Sequence, residues 1–164
     1  MNEKDLEIRL AVKEDRNYWV KWLAEKNILR WCPMCNEMEI EDAVRVYESY
    51  IPLKAIWTIT LNGAPCGYAN LYIQQFKKIA HQCLFSIIIA PELRGKGIGT
   101  FVMKELMRLA KENFHIEQLH LEVYEGNPAK HLYDRLGFKQ YGVQKHFLKE
   151  GDKYVDKILM MKLL

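Results

Sequence analysis

The sequence predicts an α/β fold, with a mixed and mostly antiparallel central sheet flanked by helices, from three observations. Strand-like segments dominate both ends of the chain, and segments of helical periodicity lie between them. Asn62-Gly63 stands between two apolar runs, the strongest short-range hairpin signal. An apolar run from Cys83 to Ala90, broken only by Ser86, gives way to Pro91, three glycines and a long amphipathic segment.

Taken in order, Glu7–Ala11 reads as a short strand. Lys13–Lys26 carries Trp19, Trp22 and Leu23 at helical spacing and predicts one amphipathic helix. Pro33 interrupts, and a second helix is expected over Ile40–Ser49 with Ala43, Val44 and Tyr47 on one side. Ala55–Leu61 and Cys66–Ile73 are the arms of the Asn62-Gly63 hairpin. Cys83–Ile89 reads as a strand buried on both faces, and Pro91 ends it because proline cannot extend a ladder. Val102, Leu106, Leu109 and Ala110 form a helical stripe, with Lys104, Glu105, Arg108 and Lys111 turned to solvent. Gln118–Val123 is a strand, and Pro128–Leu136 a short helix with proline at its first position. Gln140–Leu148 and Tyr154–Met161 form a last hairpin about Gly151-Asp152.

Composition narrows the function classes. A length of 164 residues suits one domain with a real core, and 49% hydrophobic with 27% charged residues is an ordinary soluble balance. A net charge of +3, with no Lys/Arg cluster interleaved with aromatics, argues against nucleic acid. No apolar stretch reaches membrane-spanning length, and the charged start Met1-Asn-Glu-Lys-Asp5 is unlike a signal peptide. Four unevenly spaced cysteines fit reduced thiols, so a cytoplasmic protein without a disulfide framework is expected. No internal repeat, low-complexity segment or linker is present.

The stretch Leu84–Gly99 carries most of the functional signal. A strand, a turn with Gly95, Gly97 and Gly99, and a helix N-terminus make a seat for phosphate: N–H groups point outward, the helix dipole favours anions, and missing Cβ atoms allow close approach. A P-loop would need Ser or Thr after the lysine, but Gly97 follows Lys96. A dinucleotide fingerprint would need another glycine spacing, an early strand and an acidic residue ending the next strand. The pattern met is Arg/Gln-x-x-Gly-x-Gly/Ala, by Arg94, Gly97 and Gly99. Downstream stand Leu119-His-Leu-Glu-Val123, Asn127, Leu132-Tyr133 and Leu136-Gly-Phe138. From about His81 to Phe138 the chain resembles the GNAT superfamily of acyl-CoA N-acyltransferases.

That resemblance implies a single GNAT domain over 1–164, with strands parting between Ile87–Ile89 and Leu119–Val123. It implies transfer of an acetyl group from acetyl-CoA, a cosubstrate, to a primary amine by direct attack. Pantetheine would pair with the backbone of Ile87, Ile88 and Ile89 as an extra strand does, and pyrophosphate would sit on N–H groups of Arg94, Gly95, Lys96, Gly97, Ile98 and Gly99. Asn127 aligns with a cofactor-contacting Asn, although an Asx cap before Pro128 accounts for it as well. Glu122, five residues before Asn127, matches the base proposed in the ribosomal-protein N-terminal acetyltransferase branch; the plainer reading is a half-exposed strand glutamate. His120 shares its strand face, as a water-mediated relay or a solvated histidine.

Tyr133 matches the tyrosine that in many members protonates the departing thiolate; otherwise it is a core aromatic. Transfer from a tyrosine near pKa 10 to a thiol near 8.5 is uphill by about 2 kcal/mol, so hydrogen bonding to the developing thiolate is the expected role. Asn127 to Tyr133 is six residues where the family commonly has seven, and one residue turns a helix by about 100°. Tyr133 holds its family spacing to Gly137-Phe138, so Asn127 is the less secure of the two. Cys32 and Cys35 form a Cys-x-x-Cys without two further zinc ligands or a redox context; no metal is expected, and Trp31 and Pro33 would shape the acceptor side. The acceptor is a small-molecule or protein or peptide amine, and a homodimer is compatible with this reading. Another acyl-CoA donor, or a non-catalytic acyl-CoA-binding regulatory module, remains the alternative.

Overall fold

The computed structural model describes residues 5–164; the charged start at Met1–Lys4 lies outside the described residues. β1 (Leu6–Leu10) leads through a 3₁₀ turn into α1 (Arg16–Ala24), α2 (Lys26–Leu29) and α3 (Glu37–Glu48). There follow β2 (Ile56–Leu61), β3 (Ala64–Tyr72), β4 (Gln82–Ile89), α4 (Ile98–Phe114), β5 (Gln118–Tyr124), α5 (Ala129–Arg135), β6 (Lys139–Glu150) and β7 (Lys153–Leu163). The strands form one seven-stranded sheet in the order β1-β2-β3-β4-β5-β7-β6. Every pairing is antiparallel except β4 with β5. The mixed, mostly antiparallel sheet is therefore the one the sequence predicts.

Each face of the sheet has its own core. On one face Phe85, Leu119, Leu121 and Val123 pack with Val102, Leu106 and Ala110 of α4 and Tyr133 of α5. On the other, Ile56, Tyr68 and Ala90 meet Trp19, Trp22 and Leu23 of α1 and Ile40, Val44 and Tyr47 of α3. The alternation of strand side chains sorts residues between the two. His120, Glu122 and Tyr124 consequently lie on the α1–α3 face, and Leu119, Leu121 and Val123 on the α4 face.

Three elements differ from the expected boundaries. The helix expected over Lys13–Lys26 is a 3₁₀ turn plus α1, broken where Glu25 takes an extended backbone (φ −65°, ψ 124°) that redirects the chain so that Ile28 also reaches the core. The second helix starts three residues earlier than Ile40, because Asn36 caps it by accepting from the Glu39 N–H at 2.9 Å. The β4 strand is not buried on both faces: Cys83 and Phe85 are, but Ile87 and Ile88 are only half-buried.

The α1 end of the sheet is tied by a buried carboxylate. Asp15, 2% exposed, accepts both Arg9 Nη atoms at 2.7 and 2.8 Å, the Val12 N–H at 2.9 Å and the Thr58 hydroxyl at 2.7 Å. Burial pushes its pKa up, but the hydrogen bonds from Arg9, Val12 and Thr58 outweigh that and leave it below the ordinary carboxylate value. A depressed carboxylate stabilises the fold fully above about pH 4, and that contribution is lost as the pH falls through the lowered value. Asp15→Ala is expected to cost about 2–3 kcal/mol in urea unfolding at pH 7, since it strands four donor groups from Arg9, Val12 and Thr58. The difference between parent and variant should shrink on acidification below about pH 4.

Candidate active site

The two halves of the sheet part in the middle. β4 and β5 pair only at Gln82–Gln118, Cys83–Leu119 and Leu84–His120. Beyond these, Phe85–Ile89 stays paired to β3 and Leu121–Tyr124 to β7, so each strand presents an unpaired backbone edge to the other. The parting expected between Ile87–Ile89 and Leu119–Val123 is present, and it opens at Leu121 because Leu119 and His120 are still paired. Arg94 turns back on this edge, its Nε donating to the Ile89 carbonyl at 3.0 Å.

The glycine turn follows at once. The Arg94 N–H is engaged by the Pro91 carbonyl at 3.3 Å, so the donors expected from Arg94 onward begin one residue later. Among the described residues the N–H groups of Gly95, Lys96 and Gly97 have no acceptor, and those of Ile98 and Gly99 are the unpaired first donors of α4. Gly95 and Gly97 adopt φ of 73° and 86°, a region closed to most side chains, which aims these donors outward together. Gly99 serves packing instead: a Cβ there would stand 3.1 Å from the Leu132 side chain of α5.

That close approach brings α5 to the parting. Tyr133 lies edge-on to Phe85, the first unpaired residue of β4, at 5.9 Å between centroids, and edge-on to Phe138 at the same separation. Its ring is buried, and its hydroxyl makes no hydrogen bond among the described residues. Burial alone pushes its pKa up to about 12. Asn127 caps α5, its side-chain oxygen accepting the Ala129 N–H at 2.9 Å, as the Asx reading expects.

Glu122 stands across the parting on the opposite face. Its side chain is 41% exposed, and its Oε2 accepts from Lys157 Nζ at 3.0 Å. That lysine is 9% exposed and lies 3.8 Å over the Phe147 ring, which also packs on Tyr124 at 5.8 Å. Burial lowers the His120 pKa, with Glu122 opposing in part, so His120 is neutral at pH 7.

The Acetyltransferase (GNAT) family profile matches residues 16–138 of this chain. The chain belongs to this family. It is 35% identical over 88 residues to an N-alpha-acetyltransferase of Sulfurisphaera tokodaii, covering 52% of each protein. It is 23% identical over 104 residues to the L-amino acid N-acetyltransferase AaaT of Escherichia coli, covering 63% of the chain and 64% of that protein. The chain thus spans about half to two-thirds of the length of these curated relatives. Among solved structures, the yncA protein of Salmonella typhimurium, determined with its cofactor acetyl-CoA, matches with a TM-score of 0.79 at 20% identity, over 97% of this chain and 94% of that one. A ribosomal-protein-alanine N-acetyltransferase from Brucella melitensis matches at 0.80 and 23%, over 96% and 99%. At these identities the likeness is one of fold.

Sequence reasoning missed several groups around Glu122 and on the α1–α3 face of the sheet. Lys157 and Phe147 reach it through an irregular stretch of β6, where Lys145, His146 and Phe147 oppose the single residue Asp156. On the α1–α3 face Tyr72 donates to the Ser86 hydroxyl at 3.3 Å, and Asn70 is buried with neither amide atom bonded. A groove of about 310 Å³ lies between the Cys32–Cys35 loop and Leu148–Glu150 at the hairpin tip. A larger one, about 620 Å³, lies between β1, β2 and the end of α4, remote from the parting, and shares no residue with it.

The paired cysteines do not resemble a redox couple. All four thiols are free, and no group of three or more His, Cys, Asp or Glu suited to a metal occurs among the described residues. Burial pushes Cys32 up to about 11, and the Glu39 carboxylate pushes the exposed Cys35 up as well, whereas reactive thiols are depressed. Under native conditions at pH 8, Cys32 is therefore expected to react with iodoacetamide roughly two orders of magnitude more slowly than a free cysteine, followed by mass spectrometry. Alkylation at the free-cysteine rate would mean that the loop opens.

Proposed function

We propose that this protein transfers the acetyl group of acetyl-CoA to a primary amine by direct attack in a ternary complex. One observation carries the reading: the strand parting has the glycine-turn donors and the Tyr133 hydroxyl to one side and the Glu122 carboxylate across it. Pantetheine lies along the free edge of Ile87, Ile88 and Ile89 as an added strand, though the Ile89 carbonyl is already shared with Arg94. Pyrophosphate takes the N–H groups of Gly95 to Gly99, where backbone donors and the α4 dipole act together. Asn127 keeps its amide nitrogen for the cofactor once its oxygen has capped α5.

The thioester then sits in the parting, its carbonyl open to the Glu122 face and its sulfur toward Tyr133. The attacking amine must be neutral. For a lysine-like amine near pKa 10.4 the free-base fraction at pH 7 costs about 4.6 kcal/mol, and for an α-amine near 8 about 1.4 kcal/mol. Glu122, as a carboxylate, takes the proton directly or through water. With its pKa near 12, Tyr133 would be about 5 kcal/mol uphill as a full proton donor to a thiol near 8.5, so it stabilises the leaving thiolate by a hydrogen bond.

The names of the relatives support an amine acceptor, because one set acts on α-amines of proteins and another on amino acids. Four free thiols fit a reducing, cytoplasmic compartment. A thiol-release screen with acetyl-, succinyl- and malonyl-CoA against peptides, polyamines, amino acids and aminoglycosides tests the reading. No turnover with any pair would leave a non-catalytic acyl-CoA-binding module.

Two substitutions separate binding from chemistry. Gly97→Glu puts a side chain and a negative charge at a backbone of φ 86°, so the thermal stabilisation by acetyl-CoA should vanish. Saturable binding of unchanged affinity would place the cofactor elsewhere. Tyr133→Phe keeps the ring contacts and removes the hydroxyl, so kcat should fall roughly 10²–10³-fold, about 2.7–4 kcal/mol, with the acetyl-CoA KM little changed. Retention of more than about a third of the parental kcat would make Tyr133 a core aromatic.

A further inference from the structure

We infer that Lys157, flanked by the irregular stretch of β6, is a positioning residue that orients Glu122 with one oxygen free for the acceptor amine. The inference rests on the acetyl-transfer reading above and assigns that site a component no family motif supplies.

The geometry is specific. Tyr124 and Lys157 are directly opposed on β5 and β7, and Glu122 opposes Leu159, so Lys157 reaches Glu122 on the diagonal of the same face. Its ammonium engages Oε2 at 3.0 Å, while Oε1 has no hydrogen-bond partner among the described residues and the carboxylate remains 41% exposed. One oxygen is thus fixed and the other is open to substrate.

A lysine almost fully out of water needs a reason to stay there, because an unpaired buried charge is costly. Here the reason is built by β6. Asp156 accepts from Lys145 Nζ at 2.6 Å and from the His146 N–H at 3.0 Å, and His146 takes a left-handed backbone with φ 54°. Bulges of this kind re-aim a side chain. The one re-aimed is Phe147, which leans across β7 onto Tyr124 and puts its ring 3.8 Å from the Lys157 ammonium. A carboxylate on one side and an aromatic face on the other hold the ammonium in place.

The surroundings leave Lys157 as the cation that acts on Glu122. The titratable groups facing Glu122 among the described residues are Lys157 from β7 and His120 and Tyr124 from its own strand, with Cys32 of the loop after α2 beyond Tyr124. Burial keeps His120 neutral, and it pushes Tyr124 up to about 12 and Cys32 up to about 11. Since none of these three is charged at pH 7, removing the Lys157 charge removes the cation at the base.

The test is the acceptor kinetics of acetyl transfer for the parent, Lys157→Met, Lys157→Arg and Glu122→Gln. Methionine keeps an unbranched stem over Phe147 and deletes the charged partner of Glu122; arginine restores it. A carboxylate without its fixed partner loses its orientation, so kcat/KM for the acceptor should fall roughly three- to tenfold in Lys157→Met, with the acetyl-CoA KM unchanged. Lys157→Arg should restore kcat/KM, and in the Glu122→Gln background Lys157→Met should cause no further loss. A lower melting temperature with unchanged acceptor kinetics would overturn the inference and make Lys157 a packing residue, as would failure of arginine to restore the lost activity. Absence of turnover in the parent would instead overturn the acetyl-transfer reading, and this inference with it; acetyl-CoA stabilisation of the parent separates that outcome from a misfolded preparation.

Discussion

The three parallel pairs between Gln82–Leu84 and Gln118–His120 are the hydrogen-bonded seam that joins the two halves of the sheet. Parallel pairing is the weaker kind, and here it runs out after three residues, leaving two strands with unpaired edges inside the molecule. Such edges are costly unless something else fixes the strands or a ligand completes the ladder. The fixing is done from below. Phe85, Tyr133 and Phe138 form an aromatic trio with centroids 5.7–5.9 Å apart that links β4, α5 and the start of β6 beneath the parting. The strands are held apart on one face by packing and stay open on the other.

The glycine turn inherits its position from the same constraint. Once β4 has parted from β5, its end is anchored to β3 through the Ala90 N–H, which donates to the Cys66 carbonyl at 2.9 Å, and to its own loop through Arg94. The turn can then present five unpaired N–H groups next to the open edge with little freedom to move relative to it. Burial lowers the Arg94 pKa, and its guanidinium is kept at the rim by its own bond to Ile89. Arg94 is a structural tie in this arrangement, and in the proposed reading the anion seat is backbone.

What could be read from the sequence was what local chemistry dictates. Asn62 and Gly63 take φ of 51° and 77°, the pair of left-handed residues that the hairpin signal implies. The α4 stripe, the proline stop and the glycine turn are likewise local. The groups that escaped notice depend on pairing across the sheet. Lys157 meets Glu122 only because β7 inserts between β5 and β6, and Phe147 reaches Tyr124 only because three residues of β6 oppose one of β7. No periodicity announces either. The Asn36 cap was legible in principle, from Asn-x-x-Glu ahead of an apolar stripe, while the break at Glu25 has no such marker.

The charge state of the acceptor side bears on the chemistry as a whole. Burial raises Tyr47, Tyr68 and Tyr124 and the Cys32 thiol, and lowers His120, so all five are neutral at pH 7. The remaining ions at Glu122, the carboxylate and the Lys157 ammonium, cancel. An acceptor arriving as an ammonium would add a net positive charge to a partly desolvated site, whereas a neutral amine would add none. In the proposed reaction the base and the environment act in the same direction: the Glu122 carboxylate takes the proton and the neutral walls disfavour its return to the amine. Direct attack on a thioester asks for that combination, and in the proposed reading the Lys157–Glu122 pair supplies a charged base without giving the site a net charge.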